Sequence, residues 1–393
     1  MFTPGGEGPQ THALHPDAAN PDFSPDQPPE STTPIQQPSL PGHDIPLPGA
    51  MQSRHIASLH VLRGLAAALV VVGHAYWFAF DKSIQIKFFG RTLHDLAPNA
   101  APPFPLHDFI PSGFFPVALF FVLSGFVLEG SLNRLTPQRF VLNRIFRIYP
   151  VFWIAFFVHL ALIAFTAAVQ PTFWQSVNNF FLAGSFAVVP VSWTLCFEIQ
   201  YYGLAALLCL ARAKPLVRIW IILALFAVLG NDKTFWLSFM TIGAAMAQFM
   251  SAQQQGPADI RRRAISLIAF VCIWFVLAFP VHHIPSQIPV PMSEMAAALL
   301  VFAIALAFSR VEIKSRALNF LGDISYPLYC IHFVFVVIAY LTLAGRIPTW
   351  LIPPIPILVS GVASWALHIW IEKPAMAYGR RLPHLTLRRP AIG

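Results

Sequence analysis

Charge is what this sequence has least of. Asp, Glu, Lys and Arg make up 11% of its 393 residues, against about a quarter in soluble domains. Apolar residues account for 56%, aromatics for 14%, and the mean hydropathy is +0.62. A chain of this kind cannot cover a globular surface with charge. Cysteine is also scarce. Cys196, Cys209, Cys272 and Cys330 all lie in apolar runs with no CxxC or Cys/His spacing. That excludes a disulfide framework and a metal centre, and the four thiols read as small hydrophobes. The net charge of +8 invites a nucleic-acid partner, but the basic residues sit in short segments beside apolar runs, as membrane topology requires, so none is expected. No internal repeat is detectable.

What is present is a series of uncharged apolar runs, several near the ~20 residues a helix needs to cross a bilayer. They are continuous rather than alternating, which selects helices over a closed barrel. The expected fold is an all-α, polytopic membrane bundle of about ten transmembrane helices. Spans are placed near 58–80, 113–132, 149–169, 192–211, 216–231, 234–250, 264–281, 293–309, 324–344 and 350–371. With both termini cytoplasmic, nineteen of the 25 Lys and Arg fall inside, five outside, and Arg63 within a span. The positive-inside rule agrees with that arrangement. Residues 1–50 hold twelve of the 36 prolines, six acidic residues and no Lys or Arg. They read as a disordered cytoplasmic tail, followed by a membrane domain over 51–375 and a short basic cytoplasmic tail over 376–393.

Polar groups inside the spans carry the functional reading. An intramembrane ionisable residue is energetically costly and points to function. Arg63 and His74 both lie in span one. Eleven residues at 100° each bring them onto one helix face, ~16 Å apart along the axis. Glu198 lies six residues into span four, ~9 Å below the outer boundary, and His74 lies ~6 Å below that boundary. A His–carboxylate pair at this depth would satisfy both groups and make the imidazole a better base. The other reading of Glu198 is a buried, protonated carboxyl. Arg139, Arg144 and Arg147 precede span three, and Arg144 and Arg147 share a helix face. They serve either as topology signals or as guanidinium forks for phosphate. In span nine, Tyr329 and His332 are spaced i,i+3 and read as satisfied core groups, and Trp193 reads as an interfacial residue.

These segments together resemble the membrane acyltransferase family 3. LRGLAAALVVVGHA (62–75) is similar to its Arg-x10-His signature, FFVLSGF (120–126) to its second-span motif, and NRIFRIYP (143–150) to its basic motif. SWTLCFEIQYY (192–202), LGDISYPLYCIHF (321–333) and IEKPA (371–375) follow in the family's order. Pro116, Ile199 and Asp323 depart from the family pattern, and none coincides with Arg63, His74 or Glu198. The resemblance implies an O-acyltransferase of the inner membrane that takes acyl-CoA, most often acetyl-CoA, as co-substrate with no permanently bound cofactor. It implies Arg63, Arg144 and Arg147 at the donor phosphates, and His74, alone or with Glu198, as general base. Trp193, Tyr329 and His332 are candidates for the pocket of a saccharide or glycolipid acceptor. Direct transfer is favoured over an acyl-serine, because no GxSxG elbow is present and Ser124 sits in an apolar run. The competing class is a proton-coupled transporter or flippase, which usually carries repeats and broken helices not seen here. A membrane scaffold with the Pro-rich tail as bait is the third.

Overall fold

The computed structural model describes residues 48–77, 113–166, 170–229, 232–252, 292–307 and 313–382, with residues 261 and 265. The expected tail over 1–50 lies almost wholly outside these residues, as do the span near 264–281 and the end of the chain. Among the described residues every regular element is helical. The helices are α1 (Pro48–Trp77), α2 (Phe114–Leu132), α3 (Pro137–Thr166), α4 (Phe173–Phe180), α5 (Trp193–Leu210) and α6 (Pro215–Leu229). They continue with α7 (Asp232–Ala252), α8 (Met292–Ala307), α9 (Arg316–Leu343), α10 (Pro354–Leu367) and α11 (Lys373–Arg381). A single π-helical turn, His368–Glu372, joins the last two.

By length and composition, six segments are able to cross a membrane: Ser58–Tyr76, Phe114–Leu132, Pro137–Thr166, Pro190–Leu210, Arg316–Leu343 and Thr349–Arg381. Three shorter apolar helices, Pro215–Phe226, Phe235–Ser251 and Ser293–Ala307, fall on the expected fifth, sixth and eighth spans. The chain is a multi-pass membrane protein.

Glycine sets the closest helix contacts. A Cβ on Gly64 would lie 2.5 Å from the backbone nitrogen of Gly322, and one on Gly322 would lie 2.5 Å from the His60 ring. The backbones of α1 and α9 therefore touch, the usual solution where lipid offers no hydrophobic drive to association. The two helices run parallel. Contacts climb in step from Gly64–Gly322 to the Tyr340 hydroxyl, which donates to the Ala75 carbonyl at 2.7 Å. α2 and α7 meet in the same way, since a Cβ on Gly125 would sit 1.8 Å from the Met240 carbonyl oxygen.

Two polar devices fix the elements around the site. Asn179 at the end of α4 is fully buried. Its amide oxygen accepts from the backbone N–H groups of Val188 and Val189 at 3.1 and 2.8 Å, and its NH2 donates to the Ser185 carbonyl at 2.9 Å and the Ser192 hydroxyl at 2.8 Å. Two donors and two acceptor positions are all used, which anchors the loop leading into α5. The second device is an ion pair. Arg218 of α6, counted above among cytoplasmic charges, turns inward and is 4% exposed, facing Glu129 of α2 at 2%. Gln248 of α7 donates to the same carboxylate at 2.5 Å, and Arg218 also reaches the Cys209 sulfur at 3.0 Å. Each charge is acceptable there only because the other is present.

Candidate functional site

The Arg63–His74 face of α1 packs on one partner helix. The Arg63 Nε donates to the Ser325 hydroxyl at 3.1 Å, and His74 Nδ1 lies 2.8 Å from His332 Nε2. Ser325 and His332 are seven residues apart on α9, two turns along the same face. The shared face expected for Arg63 and His74 is thus matched by a shared face on α9.

Glu198 is not the partner of His74. Its Oε1 accepts from the Ser124 hydroxyl at 2.8 Å and from the Tyr202 hydroxyl one turn along α5. His74 has His332 instead. Depth along a helix is legible from sequence, but the side from which a neighbour approaches is not, and that decided the pairing. The i,i+4 spacing of Glu198 and Tyr202 was the readable signal for one of these bonds. Ser124, set aside as part of an apolar run, gave none.

The three arginines that precede the expected third span divide. Arg139 donates to the carbonyls of Leu382 and Arg380, closing the C-terminal end of α11, where orphan carbonyls and the helix dipole favour a cation. Arg144 packs its guanidinium over the rings of Tyr202 and Phe140, at 4.9 and 5.2 Å from their centroids, and reaches the Ser131 hydroxyl at 3.4 Å. Arg147 has no hydrogen bond among the described residues. It lies within Coulombic range of Arg63, as do Glu372 and Glu198.

One cavity of about 980 Å³ gathers most of these groups. Arg63, Arg134, Arg144 and Arg147 line it, together with Ser124, Glu198, Tyr202, Thr194 and Tyr329. Its lining along α2 runs from Val117 to Gly130, a rise of ~20 Å. The basic residues cluster where the C-terminal end of α2 meets the N-terminal end of α3, and Thr194 and Tyr329 stand toward the opposite end. There the Tyr329 hydroxyl donates to the Val191 carbonyl at 2.9 Å and lies 2.7 Å from the Thr194 hydroxyl. The described lining does not include His74. Tyr329 is the connection, with its ring centroid 6.0 Å from that of His332.

The candidates for an acceptor pocket separate accordingly. Tyr329 is on the cavity wall. Trp193 is held in an aromatic cluster with Phe121, Phe197 and Trp236, at centroid distances of 6.3, 5.6 and 5.5 Å. His332 is fully buried against His74, so its place is behind the imidazole rather than in a pocket. Sequence reasoning passed over His60, whose Nε2 pairs with Asp323 at 3.1 Å and whose Nδ1 lies 3.5 Å from the Arg63 guanidinium. It also passed over His159, stacked on Phe333, and over the buried His368–Glu372 pair at 2.7 Å. No group of three or more candidate metal ligands occurs among the described residues.

A family model described as an acyltransferase domain matches residues 56–371. No curated protein and no solved structure matches the chain.

Proposed function

Because the chain belongs to the membrane acyltransferase family 3, we propose that it moves an acyl group, acetyl foremost, from cytoplasmic acyl-CoA to a hydroxyl of a cell-surface saccharide or glycolipid. The observation that carries this reading is the polarity of the cavity, with four arginines toward one end and hydroxyl and carboxylate groups farther in. A CoA donor has the matching polarity, with phosphates at one end and a thioester at the end of a narrow arm. The ~20 Å run along α2 suits an extended pantetheine.

Arg63, Arg144 and Arg147 hold the phosphates through charge-assisted bonds. Glu198, steadied by Ser124 and Tyr202, accepts an amide N–H of the arm. The donor and acceptor approach from opposite faces and meet at the Tyr329 end, where His74 takes the proton of the acceptor hydroxyl. As that oxygen bonds to the thioester carbonyl carbon, the carbon–sulfur bond breaks. The proton passes from His74 to the thiolate, giving an O-acyl product and free CoA. No resident cofactor is needed. Localisation to the inner membrane follows, since CoA is a cytoplasmic compound and the acceptor is presented outside.

The test is release of free CoA by purified protein in nanodiscs supplied with acetyl-CoA and an O-acetylatable glycan. Release that depends on the glycan and is lost in His74→Ala supports the reading. Wild-type turnover in His74→Ala would remove the base from the scheme. Flux of a solute driven by a proton gradient, with no CoA released, would replace transfer by transport.

A further inference from the structure

We propose that His332 is a positioning residue that decides which nitrogen of His74 is basic. The inference rests on the reading of His74 as general base. His332 Nδ1 lies 3.0 Å from the Leu328 carbonyl oxygen and 2.9 Å from that of Tyr329. Carbonyl oxygens only accept, so Nδ1 carries the proton. In a neutral ring Nε2 is then an acceptor. The group facing it at 2.8 Å is His74 Nδ1, which must therefore be the N–H. What remains on His74 is an Nε2 with a free lone pair.

Ring geometry agrees. The two imidazoles lie within 10° of parallel, with centroids 5.1 Å apart. That separation is the N···N distance plus one ring radius on each side, so the rings meet edge to edge in one plane. This is how an in-plane N–H meets an in-plane lone pair; stacked faces would not bring two nitrogens to 2.8 Å in this way. The reverse tautomer would turn the Nδ1 lone pair of His332 toward two carbonyl oxygens and leave both bonds repulsive. His332 is 0% exposed, so no water is at hand to offer it another partner.

The arrangement does the orienting work of a carboxylate without placing another negative charge in the bilayer. It also confines the proton. When His74 Nε2 takes the acceptor's proton, Nδ1–H still donates to His332, and that bond strengthens as the ring becomes cationic. A carbonyl cannot accept the proton in turn, so the relay ends at His332 and the proton returns through His74 to the leaving sulfur.

Histidine-selective 15N NMR of the protein in nanodiscs, with His74 assigned by its loss in His74→Ala, reads the tautomer directly. We expect an Nδ1-protonated His74 in wild type and in His332→Gln, whose amide oxygen replaces the acceptor, and loss of that form in His332→Phe. In CoA-release assays His332→Phe should lower kcat by roughly 10- to 1000-fold, with donor KM within about twofold of wild type and most of the loss recovered in His332→Gln. An Nε2-protonated His74 in wild type overturns the proposal, as does wild-type kcat in His332→Phe. Where His332→Phe fails to fold, the wild-type spectrum and that of His332→Gln decide. The tautomer is read without turnover, so it stands or falls separately from the assignment of His74 as base.

Discussion

Arg147 offers the cleanest test of the donor site, because no hydrogen bond ties it to the rest of the described structure. It lines the cavity and forms no hydrogen bond among the described residues, so Arg147→Ala strands no partner. Arg144 is different: its removal would also strip the ring faces of Tyr202 and Phe140. A hydrogen bond to a charged group contributes about 1.5–3 kcal/mol, and tenfold in an equilibrium constant corresponds to about 1.4 kcal/mol. Arg147→Ala is therefore expected to raise the acetyl-CoA KM by roughly 10- to 100-fold. The acceptor KM and the melting temperature should stay near wild type. Arg147→Lys keeps the charge and loses the planar fork, so it should fall between the two. The assay is thiol release from acetyl-CoA over a donor titration, repeated at two salt concentrations. A donor KM unchanged in Arg147→Ala would mean that this arginine only marks the cytoplasmic side, and the phosphate assignment would fall with it.

Two further expectations concern stability. Glu129→Ala leaves Arg218 buried without its counter-charge and should lose about 3–5 kcal/mol, seen as a lower melting temperature in detergent; Glu129→Leu combined with Arg218→Met should recover most of it, and a double variant no better than the single would count against the pair. Gly125→Ala forces a Cβ to within 1.8 Å of the Met240 carbonyl oxygen, so α2 and α7 must part at a penalty of at least about 1–3 kcal/mol. Gly203→Ala, where nothing lies within 4 Å, is the control and should be neutral or stabilising.

The membrane class and the helical fold are written in hydropathy, because a bilayer leaves few architectures to a chain of this composition. The positions of Arg63 and His74 on one face are likewise written in helix periodicity. What periodicity cannot carry is the identity of the neighbour. His74 and Glu198 share a depth, yet α9 rather than α5 lies against that face of α1, and the glycine contact of Gly64 with Gly322 is what brings it there. Tyr329 and His332 were both legible as polar groups of one helix. Their different roles depend on a few tens of degrees of rotation, which puts Tyr329 on the cavity wall and His332 behind His74. Arg218 was counted only as a topological charge and Glu129 carried no reading, for a related reason. Each lies near a helix end where a charge has a topological explanation, and only packing shows that they face each other.

That pair also bears on how the protein is made. Glu129 and Arg218 are separated by 89 residues in the chain, so at about 5–20 residues per second the carboxylate is synthesised roughly 4–18 s ahead of the guanidinium. For that interval α2 carries an acid with no counter-charge, and it cannot settle fully into lipid. The docking of α6 and α7 on α2 supplies Arg218 and Gln248 together, and α7 brings Met246 and Met250 to the cavity wall at the same time. The cavity is a still later product of biosynthesis, completed only when α8 and α9 add Ala303, Leu306, Ser325 and Tyr329 to its wall after the stranded charge has been neutralised. A ribosome-bound chain halted before α6 would present the arginines of α3 with no cavity behind them.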